Sequence, residues 1–336
     1  MTALDVGAAL PRRKVEIVPA LTPVIVALIA APLIGSFSTF LTLTAAGIAM
    51  GMMIFTMASG LTLVFGMMDV LNFGHGAFIA LGAYVATLVF LPLANWSSAD
   101  SVALNLTVFV LAVVAAALVC GALGWVFERL IVKPVYGQHL RQILATIGGA
   151  IIAEQLLYAL FGPDQIPLSL PKTLEGSFVF GEAAVEKYRV LATVVGLAVF
   201  AGEMLVLNRT KIGLLIRAGV ENREIVEALG YRIDRLFVGV FMAGSALAGL
   251  GGAMMALYRG QAHATIGGEF LVLCIIVIII GGLGSVGGSF VASILVALIA
   301  NYAGFLAPKL ALVSNILAMV VVLLWRPRGL YPVSGR

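Results

Sequence analysis

Long apolar runs separated by short polar breaks dominate this chain. The runs cover about 17–34, 40–65, 77–93, 102–127, 143–161, 190–207, 236–258 and the block 270–325. A helix needs about 20 apolar residues to cross a bilayer, so the pattern predicts an all-α, polytopic transmembrane helix bundle of about 8 to 10 helices.

Composition supports this interpretation and excludes others. The chain is 62% hydrophobic and only 11% charged, with a mean hydropathy of +1.12. We therefore expect one membrane domain over residues 1–336, without a soluble domain. The net charge of +4 comes from basic residues clustered in alternate loops, which indicates topology rather than a nucleic-acid partner.

The basic clusters predict the orientation of the chain. Arg12, Arg13 and Lys14 precede the first apolar run, and the C-terminal segment RPRG is basic too. Positive residues favour the cytoplasmic side, so both termini are expected there. A cleaved signal peptide is disfavoured because Pro32 would follow the cut after Ala31, and the first helix is therefore expected to be retained.

Two glycine-rich breaks interrupt the apolar pattern, near 66–76 and at 281–289. The apolar piece Leu271–Ile280 before the second break is too short to cross about 30 Å of hydrocarbon, so broken or re-entrant elements are expected at both places. Such backbone must be buried in protein or line a cavity, which makes Gly282 and Gly284 candidates for a pathway. The alternative is that glycine is simply common in membrane helices.

Four ionisable side chains lie within or close to the apolar runs: Asp69, His75, Glu154 and Glu203. Glu203 is near the end of its run and is expected to reach water. Asp69, Asn72 and His75 are spaced by three residues, so on a continued helix they would share one face and could line a polar cavity with Glu154. Alternatively, Asn72 and His75 hydrogen-bond backbone exposed at the break.

The segment 209–235 carries ten charged residues between two apolar runs and must lie in water. Its pattern predicts one short amphipathic helix between Gly213 and Gly230, with an apolar face that includes Leu215 and Leu229. Six of its charges are basic, which predicts a cytoplasmic position. It is either a docking element or a solvated connection.

Recognisable catalytic and cofactor motifs are missing from the sequence. No lysine follows a glycine as the P-loop requires, and there is no HExxH, no GxSxG and no pair of cysteines at metal spacing. The two cysteines lie inside apolar runs. We therefore expect no enzyme activity, no cofactor and no metal site.

Several ordered motifs resemble a known family, the LivH-like branched-chain amino acid permeases of bacterial ABC importers. The segment 60–86 contains Asn72, a glycine and His75 ahead of a Gly-Ala-Tyr triplet at 82–84. The similarity continues through the Thr-Ile-Gly triplet at 146–148, the segment 217–235, GSALAGLGGAM, GGLGSVGGSFVA and the terminal RPRGLYP. It covers nearly everything after residue 40.

The resemblance implies a permease subunit of the bacterial inner membrane. Its partners would be a second related permease, two cytoplasmic ATPase subunits and a periplasmic binding protein. The segment 209–235 would be the coupling loop, and its candidate contacts to the ATPase are Arg217, Glu221, Arg223, Glu227, Ala228 and Gly230. Gly230 follows Glu227 more closely than the general importer pattern has it. Residues 1–39 exceed the usual start and are expected to add one helix.

Three alternatives remain open at this point. The same family imports urea or short amides in some branches, and the sequence at 66–86 does not distinguish these substrates. A secondary transporter or channel would use Asp69, His75 and Glu154 as an ion path. An intramembrane enzyme is disfavoured because no acid, base and nucleophile are paired.

Overall fold

The structure is a computed structural model that describes residues 17–221 and 223–332. The basic residues at 12–14, on which the predicted N-terminal orientation rests, lie outside that part of the chain. The described helices are α1 (Ile17–Ile34), α2 (Phe37–Met68), α3 (His75–Phe90), α4 (Ala94–Ser97), α5 (Val102–Phe127), α6 (His139–Phe161), α7 (Lys187–Arg209), α8 (Lys211–Glu221), α9 (Arg223–Ala228), α10 (Ile233–Arg259), α11 (Ile266–Gly281), α12 (Val286–Leu306) and α13 (Pro308–Trp325).

The predicted all-α membrane bundle is confirmed. Six of the described helices are long and apolar enough to cross a membrane, and α1, α3, α11 and α13 are shorter apolar helices. The strands are short: β1 (Ile166–Pro167) pairs antiparallel with β4 (Gln261–Ala262), and β2 (Ser177–Phe180) forms a hairpin with β3 (Ala183–Glu186). These strands lie in loops and leave the bundle helical.

Helix α2 forms the centre of the bundle. Its 32 residues make it longer than the predicted run, and 83% of its membrane window is buried. It packs against α7, α10 and α12. Small residues allow these close approaches, since a Cβ on Gly51 would lie 2.9 Å from the Cα of Ile294.

The loops fall into two groups at opposite ends of the bundle. We call one end the hairpin face, because it holds β2 and β3 together with the loops 91–101, 162–186 and 260–265. Asn105 joins two of these loops, donating to the carbonyl of Ala99 (2.9 Å) and accepting from the backbone N–H of Thr173 (2.7 Å). The backbone N–H of Leu168 donates to the carbonyl of Gly260 (2.9 Å), which joins the loop 162–186 to the loop 260–265.

We call the other end the α8 face, because α8 and α9 lie there. The segment after α13 also lies at the α8 face and packs against the end of α11. The backbone N–H of Tyr331 donates to the carbonyl of Gly281 (3.0 Å), and that of Leu330 donates to the carbonyl of Ile280 (2.8 Å). Loops therefore alternate between the two ends in the order that the basic clusters predict.

Both predicted breaks are present. Residues 69–74 separate α2 from α3, and residues 282–285 separate α11 from α12. Helix α11 begins at Ile266 and is longer than the predicted piece Leu271–Ile280, because residues 266–270, two glycines and Glu269 among them, also adopt helical structure. Helices α3 and α11 have 16 residues each. At about 1.5 Å per residue each rises only about 24 Å, short of the roughly 30 Å of hydrocarbon.

Candidate functional site

The first break does not continue the helix, so the predicted common face of Asp69, Asn72 and His75 is wrong. Helix α2 ends at Asp69, a non-glycine residue in the left-handed region (φ 55°), whose N–H donates to the carbonyl of Phe65 (3.0 Å). The carboxylate of Asp69 lies 3.9 Å from Nε2 of His139, and its side chain is 52% exposed. Asp69 thus lies at the α8 face, away from the buried part of the break.

A shallow depression of about 360 Å³ surrounds Asp69 at the α8 face. Its lining residues come from the end of α2, the loop before α6 and the first turns of α6 and α10: Met68, Asp69, Tyr136, Gly137, His139, Gln142 and Phe237. The first break therefore opens to solvent at this end.

Asn72 lies inside the protein, with only 2% of its surface exposed. Its backbone carbonyl accepts from the N–H of His75 (3.2 Å), which starts α3. Its side-chain oxygen and nitrogen are both buried, and neither finds a hydrogen-bond partner in the described part of the chain. The expectation that this amide hydrogen-bonds the exposed backbone is therefore wrong.

His75 is completely buried at the first position of α3. Its Nε2 lies 2.8 Å from the carbonyl oxygen of Met57 in α2. A carbonyl can only accept, so Nε2 carries the proton and Nδ1 is left as an acceptor. Nδ1 is buried, and no described residue donates to it. The alternative prediction, that His75 hydrogen-bonds backbone, is therefore confirmed for Nε2 but not for Nδ1.

Helices α5 and α6 close this region from the side. The N–H of Phe73 donates to Oγ1 of Thr146 in α6 (3.2 Å). A Cβ on Gly74 would strike the ring of Phe127 from α5, and one on Gly149 would lie 2.8 Å from the same ring. Sequence reasoning missed Phe127, because one phenylalanine in an apolar run gives no signal of its neighbours.

The two short helices meet at their N-termini. A Cβ on Gly76 would lie 2.8 Å from the carbonyl oxygen of Gly267, and one on Gly267 would strike the carbonyl of Gly76. Both glycines lie within two residues of the start of their helices. The positive ends of both helix dipoles thus lie at the same place, next to His75.

Gly282 and Gly284 form the second break, with φ of +100° and +82°. Such angles favour glycine strongly. A Cβ on Gly282 would lie 2.8 Å from the carbonyl oxygen of Tyr331, and Gly284 packs against Gly66 at the end of α2. The second break therefore packs against the last turn of α2, just before the first break begins.

Glu154 and Glu203 lie elsewhere. Glu154 is half-buried on α6, a helix with only 17% of its membrane window buried. Glu154 is 15 residues after His139, or about 22 Å along the helix. Because His139 is the residue next to Asp69, Glu154 and Asp69 do not share one site. Glu203 faces Ser59 of α2, and both carboxyl oxygens are shielded from solvent. The expectation that Glu203 reaches water is therefore wrong.

The charged segment contains two helices, α8 and α9, and not the predicted single helix. Gly213 lies within α8, where a Cβ would strike the carbonyl of Leu207, so it does not begin the helix. Ile216 and Val226 are buried. Leu229 is 70% exposed and so does not share the buried face.

Of the predicted coupling residues, Glu227, Ala228 and Gly230 are exposed. Gly230 adopts a left-handed conformation (φ +86°) and ends this helical segment. The side chains of Arg217, Glu221 and Arg223 lie outside the described residues. The exposed end of the segment nevertheless presents Leu229 and Tyr231 at 70% and 51% exposure.

Comparison with known proteins gives one family. Residues 43–325 match the family model described as "Branched-chain amino acid transport system / permease component". No solved structure matches the chain.

Curated relatives align over most of the chain. The branched-chain amino acid transport permease BraD of Pseudomonas aeruginosa is 26% identical over 84% of this chain and 93% of its own length. LivH of Escherichia coli K12 is 24% identical over 84% and 92%. The probable LivH of Methanocaldococcus jannaschii is 26% identical over 83% and 89%.

Proposed function

The chain belongs to the branched-chain amino acid transport permease family, and on that basis we propose that it is the membrane subunit of an ATP-driven importer of branched-chain amino acids. The observation that carries the proposal is the family match over 43–325, which includes both broken elements and the segment 209–235. The chain would act as a single permease domain, with α1 as an addition to its N-terminal side.

ATP would be hydrolysed by partner subunits. The sequence contains no P-loop, so the energy must reach this chain through a contact. We infer that two ATPase subunits serve the assembled importer, one of them beneath α8 and α9. A periplasmic binding protein would deliver substrate to the hairpin face, and the assembly would lie in the bacterial inner membrane with both termini in the cytoplasm.

The α8–α9 segment has the properties of a coupling element. Its inner side is fixed to the bundle, since Ile216 is 4% exposed and a Cβ on Gly219 would lie 3.2 Å from Ile233 at the start of α10. Its outer side offers Glu227, Ala228 and Leu229 to a partner. A displacement of this segment by the ATPase would therefore move α10, which packs against α2 and α3.

The second permease would pack against α6. Gln155 is an exposed amide six residues from the end of α6 and more than a turn inside the helix, with the half-buried Glu154 beside it. The exposed side chains in the middle of α7, such as Val194 and Leu197, are apolar. Polar groups in lipid are costly, so the polar side of α6 favours a protein neighbour and the side of α7 favours lipid.

The pathway would run beside the two breaks, from the hairpin face to the depression around Asp69. Gly282 and Gly284 would shape its exit by holding the second break against α2. Glu154 would line the pathway from α6, where α6 contacts the second permease. Glu154 lies about 22 Å along α6 from His139, the neighbour of Asp69, so a continuous proton relay through Asp69 and Glu154 is disfavoured.

Transport by the reconstituted importer tests the function. The complete assembly, with its second permease, ATPases and binding protein, should take up labelled leucine into liposomes only when ATP is present, and excess urea should not compete. Uptake of urea in place of leucine would contradict the substrate class. Uptake by this chain alone without ATP would indicate a secondary transporter.

Docking of the ATPase is tested separately. Alanine at Arg217, Glu221 and Glu227 together should reduce assembly with the ATPase and ATP-driven uptake. Full assembly and full transport in this variant would remove the coupling role from the segment.

A further inference from the structure

We propose that the amide of Asn72 and Nδ1 of His75 form the site that binds the charged α-ammonium and α-carboxylate groups of the transported amino acid. This inference rests on the proposed function and adds to it the place where the substrate is held. It also predicts which part of the substrate is recognised by the permease itself.

The buried side chain of Asn72 points to a bound ligand. Asn72 is 2% exposed, and both polar atoms of its amide are buried without a partner in the described part of the chain. Burial of an amide without compensation is unfavourable, and such groups in native proteins usually have a partner. The amide of Asn72 is therefore expected to bind a molecule that is polar and small.

His75, three residues later, also has a buried atom without a partner among the described residues. The bond from Nε2 to the carbonyl of Met57 (2.8 Å) fixes the tautomer, so the unpartnered Nδ1 is an acceptor. The side-chain oxygen of Asn72 lies 3.0 Å from the position of a Cβ on Gly74, the residue that caps α3, and His75 is the next residue. Both groups thus lie at the start of one helix.

These polar atoms require a ligand of particular chemistry. The amide nitrogen of Asn72 donates, whereas its oxygen and Nδ1 of His75 accept, so the ligand must offer both donors and acceptors. The start of α3 favours negative charge, and the start of α11 lies against it at Gly76 and Gly267. A zwitterion satisfies all of these groups, with its carboxylate at the helix start and its ammonium at the acceptors.

The surroundings suit an apolar substrate side chain. The ring of Phe127 borders Gly74, with ring centroids 5.4 Å from Phe78 and 6.1 Å from Phe241. An aliphatic side chain next to these rings would be removed from water. The ligand class is therefore an α-amino acid with an apolar side chain.

Access to the site requires movement, and the break makes it possible. Residues 69–72 have no regular secondary structure, so they can be displaced without opening a helical hydrogen-bond ladder. Asp69 at one end of this segment already faces solvent at the α8 face. The buried site would thus open toward that face during transport.

The decisive variant is Asn72→Leu, which replaces the amide by an apolar group of similar size. In the complete importer in liposomes, we expect leucine uptake to fall at least tenfold, while the amount of assembled importer recovered in the liposomes stays within twofold of the wild type. The melting temperature should not fall, because an unpartnered buried amide has been removed. Uptake within twofold of the wild type overturns the proposal and would indicate that the Asn72 amide binds only water.

The matched control is Asn301→Leu. Asn301 lies in α12 and its amide donates to the carbonyl of Ala297 in the same helix (2.9 Å). This variant should keep leucine uptake within twofold, and an equal loss in both variants would overturn the proposal. If Asn72→Leu does not assemble, Asn72→Ser, which is smaller and cannot overpack, is measured in the same way, and unchanged uptake again overturns it.

The proposed function fails in a different way from this inference. If the wild-type importer does not take up leucine with ATP, the function is wrong. If the wild type transports leucine and both Asn72 variants do so equally well, only the site is wrong.

Discussion

Gly66 and Gly284 bring the last turn of α2 into direct backbone contact with the second helix break. A Cβ on Gly66 would lie 2.6 Å from the Cα of Gly284, and a Cβ on Gly284 would lie 2.7 Å from the Cα of Gly66. These residues are more than two hundred positions apart in the chain. The contact fixes the end of α2 against the segment between α11 and α12, so a displacement of one break must be accommodated by the other.

This contact predicts that Gly66→Ala destabilises the bundle. The added methyl group meets backbone, which cannot rotate away, and overpacking of this kind costs about 1–3 kcal/mol. Gly284→Ala should be more severe, because its φ of +82° also disfavours alanine. Unfolding in detergent micelles measures both.

Gly148→Ala is the control for these glycine variants. Gly148 lies in α6, and no atom lies within 4 Å of the position that an added methyl group would take. Alanine there should be neutral or stabilising by up to about 1 kcal/mol. Equal stability losses for Gly66→Ala and Gly148→Ala would contradict the importance of the contact.

A second prediction concerns the buried hydroxyl pair of Thr62 and Ser289, whose oxygens are 2.7 Å apart. Thr62 also donates to the carbonyl of Ala58 (2.9 Å), so Ser289 is the donor in the pair. A double-mutant cycle with Thr62→Val and Ser289→Ala should give a coupling free energy of about 0.6 kcal/mol, the average for such bonds between membrane helices.

Thr107→Val serves as the reference for that cycle. Its exposed hydroxyl bonds only within its own helix, to the carbonyl of Ala103 (2.7 Å). The changes in the free energy of unfolding caused by Thr107→Val and Ser289→Ala should add in the double variant. A zero coupling between Thr62 and Ser289 would show that the bond does not hold α2 to α12.

A third prediction concerns the exposed end of the coupling segment. Leu229→Ser should weaken binding of the ATPase, because burial of a leucine contributes about 1.5–3 kcal/mol, or roughly tenfold or more in affinity. The melting temperature should not change, since Leu229 is 70% exposed in this chain. Titration of the purified membrane assembly with the ATPase measures the affinity.

Leu140→Ser is the matched control for Leu229. Leu140 has nearly the same exposure, 71%, but lies in the first turn of α6. It should leave the affinity for the ATPase unchanged. Unaltered binding in Leu229→Ser would exclude this residue from the docking surface.

A fourth prediction tests the neighbour of α6. A photo-reactive p-benzoylphenylalanine in place of Gln155 should form an adduct with a second polypeptide of the same permease family in native membranes, identified by mass spectrometry. The same probe in place of Leu197, which is 46% exposed on α7, should react with lipid. Reaction with lipid alone at position 155, or with a second copy of this chain, would contradict a contact with a different permease.

The sequence alone determined the membrane class, the approximate spans and the positions of both breaks. This was possible because a lipid environment imposes simple rules: about 20 apolar residues per crossing, and no exposed irregular backbone in hydrocarbon. The clusters of basic residues predicted which loops share an end of the bundle, because positive residues favour the cytoplasmic side. Ordered motifs across 60–332 gave the family.

Tertiary structure alone decided which polar groups are buried and which are not. Asp69, Asn72 and His75 have equal spacing, yet Asp69 faces solvent while the other two are enclosed by Met57, Phe127 and their neighbours. Leu229 continues the apolar pattern of its segment, yet it is 70% exposed. Periodicity records what a residue could contact on its own helix, whereas burial depends on what other parts of the chain place opposite it.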